Sequence, residues 1–120
     1  MRTSITLALL GLLASGAHAL PSDLKVLAQF DLGYAKCEAR FPHMRGQRDK
    51  AYLALWKVKP DAQRHAELAS ARKSNKYRKE RELAQKAMGA DNSPEMEEKL
   101  NQQCQATWAE AQRNAPAHKQ

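Results

Sequence analysis

The chain contains two cysteines, and each lies within a stripe of apolar residues that repeats every three or four positions. The stripe around the first comprises Leu27, Phe30, Tyr34, Cys37 and Phe41. The stripe around the second comprises Met96, Leu100, Cys104, Trp108 and Ala111. This spacing is typical of one face of an α-helix. A bond between Cys37 and Cys104 would hold a helix early in the chain against a helix near its end.

The first nineteen residues have the pattern of a cleavable secretory signal. An apolar run, Ile5 to Leu13, is followed by the small-x-small site Ala17-His18-Ala19. Export places the mature chain in an oxidising compartment, where cysteine pairs form disulfides. We therefore expect residues 1–19 to be removed, the protein to be periplasmic or secreted, and Cys37 to be bonded to Cys104.

Two other states of the cysteines remain as alternatives. One is a pair of reduced thiols buried in the core, and the other is a redox-active pair. The redox-active pair is the weaker alternative because the chain has no Cys-x-x-Cys motif and no site that would stabilise a thiolate.

The composition of residues 20–120 predicts an all-α fold. Alanine, leucine, lysine, arginine, glutamate and glutamine dominate, valine and isoleucine are scarce, and no apolar-polar alternation marks a strand. We expect one helical domain over 20–120, built as a small bundle of about four helices, with 116–120 as a loose C-terminal tail. The apolar run of the signal is too short to span a bilayer. No other apolar segment approaches the roughly 20 residues that a spanning helix needs, so no transmembrane segment is expected in the mature chain.

Proline residues delimit the first two predicted helices. The first begins near Leu24, with Ser22 as its N-cap, and stops at Pro42. The second runs from about residue 46 to 58 and ends before Pro60.

Two longer helices are predicted in the second half of the chain. The third runs from Asp61 to Met88, with a polar centre over 70–81 where it is either interrupted or exposed. The fourth has Ser93 as N-cap and Pro94 as its first residue, both typical of a helix start.

Positive charge is concentrated in the middle of the chain. The stretch Lys36–Arg81 holds 14 basic and 5 acidic residues, whereas residues 82–120 hold 4 and 6. The densest part of this stretch lies on the third predicted helix and is the main candidate binding site: Arg72, Lys73, Lys76, Tyr77, Arg78, Lys79 and Arg81. Such a cluster attracts phosphates and carboxylates. The alternative is a solvated helix face without a partner.

The corner between the first two helices is a second candidate. It combines an aromatic residue, a proline, a glycine and several polar groups, and we take His43, Arg45 and Arg48 as candidate contact residues. The alternative is a purely structural turn, since proline and glycine suit a corner.

The residue patterns argue against several classes of function. The histidines are isolated, without the short spacing of metal ligands, so no metal or other cofactor is expected. Both thiols are assigned to the disulfide, which leaves no cysteine nucleophile for catalysis. No nucleic-acid-binding motif is present, and an exported protein is not expected to meet nucleic acid.

These observations predict a non-enzymatic exported binding protein. The more specific hypothesis is an inhibitor or immunity-type protein that acts on a partner protein in the bacterial envelope. The alternative is a protein that binds an anionic envelope polymer, lipopolysaccharide or a cell-wall glycan, through the basic third helix.

Overall fold

A computed structural model describes residues 23–89 and 93–115, which form five α-helices, one 3₁₀ turn and no strand. The helices are α1 (Leu24–Arg40), α2 (Arg48–Leu55), α3 (Ala62–Arg72), α4 (Asn75–Met88) and α5 (Pro94–Asn114), and the 3₁₀ turn is Pro42–Met44. The predicted all-α class is confirmed, and five helices agree roughly with a bundle of about four. The predicted signal segment 1–19 and tail 116–120 lie outside the described residues.

The disulfide joins the first and last helices, as predicted. The Sγ atoms of Cys37 on α1 and Cys104 on α5 are 2.01 Å apart, and their Cα atoms are 5.5 Å apart. The bond closes a loop with a sequence separation of 67. In the chain-entropy model a loop of this length stabilises the folded state by about 4 kcal/mol. A disulfide is also compatible with the predicted export.

Helix α1 lies between the other helices and contributes to two apolar clusters. Helix α4 packs along α1, whereas α5 packs against α2 and α1. The first cluster contains the disulfide: Tyr34, Cys37, Met44, Ala51, Ala54, Cys104 and Ala111. The second lies where α1, α2, α3 and α4 meet: Leu27, Ala28, Tyr52, Leu53, Leu68 and Tyr77. Phe30 packs against both clusters and connects them.

The third predicted helix is divided into α3 and α4 by a turn at Lys73 and Ser74. Two polar bonds of Ser74 explain the break. Its Oγ donates to the carbonyl of Ala71 at 2.8 Å and accepts from the backbone N–H of Tyr77 at 3.1 Å. A serine that satisfies backbone groups on both sides of itself ends one helix and caps the next.

The other predicted helix boundaries need smaller corrections. Helix α1 begins at Leu24 as predicted, but its N-cap is Asp23 rather than Ser22, since Asp23 Oδ1 accepts from the N–H groups of Lys25 and Val26. Helix α2 is shorter than the predicted 46–58 because a 3₁₀ turn precedes it and a left-handed residue ends it. The predicted start of the last helix is confirmed: Ser93 Oγ accepts from Met96 N–H.

No α-helix within 23–89 and 93–115 combines the length and the apolar character needed to cross a membrane.

A Schellman motif ends α2 and places a lysine in the left-handed region. Lys57 has a φ of 58°. The N–H of Val58 donates to the carbonyl of Leu53 at 2.8 Å, and the N–H of Lys57 donates to the carbonyl of Ala54 at 2.9 Å. Glycine is the usual residue at this position because a Cβ atom is disfavoured at positive φ.

Substitution Lys57→Gly is expected to stabilise the fold by about 0.5–1 kcal/mol, because it removes the Cβ penalty of the left-handed conformation. Urea denaturation followed by circular dichroism measures the change. The control is Lys59→Gly, an exposed position two residues later whose φ is not positive, where glycine should lower stability. A lower midpoint for Lys57→Gly than for the wild type would contradict this account of the turn.

Candidate functional site

The exposed part of the predicted binding site lies at the α3–α4 junction. We call Lys73, Lys76, Arg78 and Lys79 the basic patch. All four residues are exposed, and within 23–89 and 93–115 none of them forms an ion pair. Arg78 donates to the side-chain oxygen of Asn75 at 3.2 Å, a contact that leaves its charge uncompensated. The patch therefore presents four cations to solvent.

The backbone of α4 adds to the positive potential of the basic patch. Ser74 caps this helix, so Lys76 lies in its first turn and Arg78 and Lys79 in the next. A helix N-terminus carries a partial positive charge, which disfavours nearby cations. The first turn of α4 has no acidic residue, whereas the first turn of α5 contains Glu95 and Glu97. The first turn of α4 therefore lacks the carboxylates that offset this charge in α5, and the acidic residues of α4, Glu80 and Glu82, come only after the patch.

Two residues of the predicted binding site are internal instead of exposed. The Arg72 side chain is 14% exposed and makes two hydrogen bonds to Asp31, Nε to Oδ2 at 2.8 Å and Nη2 to Oδ1 at 3.0 Å. The Tyr77 hydroxyl donates to the same carboxylate at 2.5 Å, and Arg81 Nη1 donates to that hydroxyl at 3.1 Å. Arg72 and Tyr77 thus hold α3 and α4 to α1 and are not available to a partner.

The ion network extends from Asp31 to α2. Nη2 of Arg72 lies 2.9 Å from Oδ1 of Asp49, which also accepts from Nε of Arg48 at 3.2 Å. Nδ1 of His65 on α3 lies 3.7 Å from the other oxygen of Asp49. Four helices therefore meet in one network of ion pairs and hydrogen bonds, in which the buried Asp31 and the half-buried Asp49 each face at least one guanidinium.

The network changes the acidity of its members. Burial raises the pKa of Asp49, but hydrogen bonds and charge from Arg72 and Arg48 outweigh it and hold that pKa below its ordinary value. Burial and the hydrogen bond to Asp31 raise the pKa of the Tyr77 hydroxyl. Burial lowers the pKa of Arg72, yet its bonds to Asp31 and Asp49 prevail and raise it. The shifts of Asp49 and Arg72 both favour the charged forms that pair in the folded protein, so these charges stabilise the fold.

The three residues of the predicted contact corner each contact a different part of the protein. The His43 ring packs edge-on against Trp108 of α5, with ring centroids 5.0 Å apart. Nε of Arg45 donates to the carbonyl of Glu38 at 3.3 Å, and Arg48 belongs to the ion network. His43 and Arg45 are exposed, whereas Arg48 is half-buried. The corner is thus braced against α1 and α5, and its role as a contact site stays a prediction.

The central carboxylate of the network, Asp31, was not among the residues predicted from the sequence. Asp31 lies four residues after Leu27 and three before Tyr34, within the apolar stripe of α1, and it is 2% exposed. A carboxylate at a core position requires a cationic partner. The position of an aspartate within an apolar stripe could therefore have predicted that a basic residue elsewhere in the chain pairs with it.

No three metal-ligating side chains converge among the described residues. Comparisons with protein-family models, curated proteins and solved structures found no match to this chain.

Substitution Asp31→Asn is expected to destabilise the protein by about 3 kcal/mol, because it leaves the Arg72 guanidinium buried with one anionic partner fewer. Chemical denaturation at pH 7 measures the loss. The matched control is Glu110→Gln, which removes a surface pair with Arg113 and should cost less than about 0.5 kcal/mol. Equal losses in the two variants would show that the network does not hold the helices together.

Stability should fall in acid in a way that depends on Asp49. Its pKa is lowered in the folded state, so its charge stabilises the fold above the unfolded pKa of about 4, and this contribution is lost as pH falls further. We expect the difference in unfolding free energy between wild type and Asp49→Asn to shrink as pH decreases from 6 to 3. A difference that stays constant over this range of denaturation measurements would rule out the assigned role.

Proposed function

We propose that this protein is an exported, non-enzymatic binding protein that holds an anionic polymer of the cell envelope through the basic patch. The observation that carries the proposal is the placement of four exposed cations at the α3–α4 junction, none of them in an ion pair within the described residues. Three of the four, Lys76, Arg78 and Lys79, lie in the first two turns of α4, where the helix backbone is itself positive. This arrangement has an electrostatic cost for the isolated protein. An anionic ligand removes that cost on binding.

The composition of the basic patch favours a polymer over a protein surface. Protein interfaces are usually anchored by buried aromatic and arginine side chains. Tyr77 and Arg72, which neighbour the patch in the chain, are engaged with Asp31, so Arg78 is the one residue of those types within the patch. Three lysines and one arginine remain. Lysines are flexible point charges, suited to many equivalent anionic groups such as phosphates or carboxylates along a polymer.

The envelope as the site of action rests on the predicted signal and the disulfide. Residues 1–19 have the sequence pattern of a secretory signal, and a Cys37–Cys104 bond persists in an oxidising compartment. Lipopolysaccharide and anionic cell-wall glycans are the abundant polyanions of that location.

One exposed residue favours the second candidate, an inhibitor or immunity-type protein. Leu83 follows Lys79 by one helical turn and is 54% exposed. An apolar side chain beside lysines fits a protein surface that is acidic with an apolar centre. The two candidates differ in their dependence on salt, because a polymer held by charge alone is released by screening.

Binding of labelled lipopolysaccharide and of an anionic cell-wall glycan, measured by fluorescence anisotropy, tests the polymer proposal. The double variant Lys76→Glu/Lys79→Glu should weaken binding about thirtyfold, if each cation contributes about 1 kcal/mol near an anionic surface. Raising salt from 50 to 300 mM should weaken wild-type binding about tenfold or more.

The matched control is Lys25→Glu/Lys36→Glu, which makes the same change in net charge on exposed positions of α1. It should bind nearly as the wild type does. Equal losses in both double variants would mean that net charge alone matters and would contradict a defined patch. Absence of binding to either polymer, together with salt-resistant capture of one envelope protein, would favour the inhibitor candidate.

A further inference from the structure

A groove between α2 and the last turns of α5 lies outside the elements that form the basic patch. Its volume is about 470 Å³, within the range of small-molecule sites. The indole of Trp108 forms one wall and Pro60 another. The floor consists of alanines contributed by both helices: Ala51, Ala54, Ala111 and Ala115.

Small side chains create the groove, and one aromatic contact holds its wall in place. Methyl groups at facing positions of α2 and α5 leave space that larger side chains would fill. The His43 ring packs edge-on against the indole of Trp108, with 5.0 Å between ring centroids. The 3₁₀ turn that carries His43 is tied to α1, because the Tyr34 hydroxyl donates to the carbonyl of Met44 at 2.8 Å. The groove is therefore a preformed apolar surface.

The rim of the groove is positive. Lys50 and Lys59 line it, both are exposed, and neither forms an ion pair within the described residues. The remaining polar lining residues are the neutral Gln47 and Gln112, and none of the described residues that line the groove is acidic. An apolar groove with a positive rim is therefore complementary to a ligand that has both an apolar part and an anionic group.

The helical lining of the groove favours an alkyl chain over an extended peptide as the apolar part of the ligand. An extended peptide gains affinity by pairing its main chain with the edge of a sheet, but the described residues form no strand. An alkyl chain needs no such partner, since its transfer from water to an apolar surface is favourable by itself. An anionic head group can then accept hydrogen bonds from the two lysines.

We propose that this groove binds a single-chain anionic amphiphile, with the acyl chain along the alanine floor against Trp108 and the head group between Lys50 and Lys59. This site would act independently of the basic patch, so a polymer and an acyl ligand could be bound together.

Dodecanoate, kept below its critical micelle concentration, is the probe. The chain has two tryptophans, so Trp56→Phe leaves Trp108 as the single tryptophan reporter. In this background we expect saturable binding with a blue shift of Trp108 emission, confirmed by calorimetry on the unmodified protein. Butyrate should bind at least tenfold more weakly, because its short chain buries little apolar area. Neutral dodecyl maltoside should also bind about tenfold more weakly.

Two variants locate the site. Lys50→Gln/Lys59→Gln should raise the dissociation constant of dodecanoate about tenfold, and the space-filling Ala115→Phe should reduce binding comparably. The matched control Lys76→Glu/Lys79→Glu alters the basic patch and should leave dodecanoate affinity within about twofold. Circular dichroism spectra and unfolding midpoints equal to those of the wild type would show that the variants are folded.

Four results would overturn the proposal. The first is absence of saturable binding by the unmodified protein, and the second is binding that both groove variants leave unchanged. The third is binding that requires removal of residues 116–120, which would identify this chain's own C-terminal segment as the occupant. Preference for an acidic, leucine-rich peptide over dodecanoate would likewise reassign the groove to a protein partner.

Discussion

The carboxylate of Asp31 is the group on which the arrangement of α1, α3 and α4 depends. It is 2% exposed, so its charge is tolerated only because Arg72 meets it with two hydrogen bonds and Tyr77 with a third. The break at Ser74 lies between these two partners in the chain. Arg72 and Tyr77 both reach the Asp31 carboxylate because the end of α3 and the start of α4 meet beside α1. The same pairing removes an arginine and a tyrosine from the surface.

The disulfide attaches α5 to α1, as the Asp31 carboxylate attaches α3 and α4. Cys37 is followed one turn later by Arg40, which pairs with Glu97, and the covalent bond to Cys104 joins α5 to the rest of the protein. The apolar contribution of α5 is modest, since its buried residues are Cys104 and Ala111. The alanines that limit this packing also form the floor of the groove. The small side chains of α5 therefore account for both its weak apolar packing and the open apolar surface beside it.

Prediction from the sequence succeeded for features that depend on neighbouring residues, such as a helix start, and for the disulfide. Ser93 and Pro94 mark the start of α5, and Cys37 and Cys104 lie in apolar stripes of the helices they join. It failed where a residue's role depends on a partner distant in the chain. Arg72 has the same charge as Lys76, and nothing in a run of basic residues tells which one faces inward. Asp31 and Arg72 are 41 positions apart, and only the fold brings them together.

The sequence by itself determined the helical class, the disulfide pairing of two cysteines and a concentration of positive charge, because these follow from composition, residue spacing and parity. The tertiary structure decided which cations remain on the surface, since burial of Asp31 required one guanidinium inside and left the lysines outside. It also decided that four alanines from α2 and α5 form one groove. The position of a side chain relative to a distant helix is a property of packing, which residue spacing along the chain does not encode.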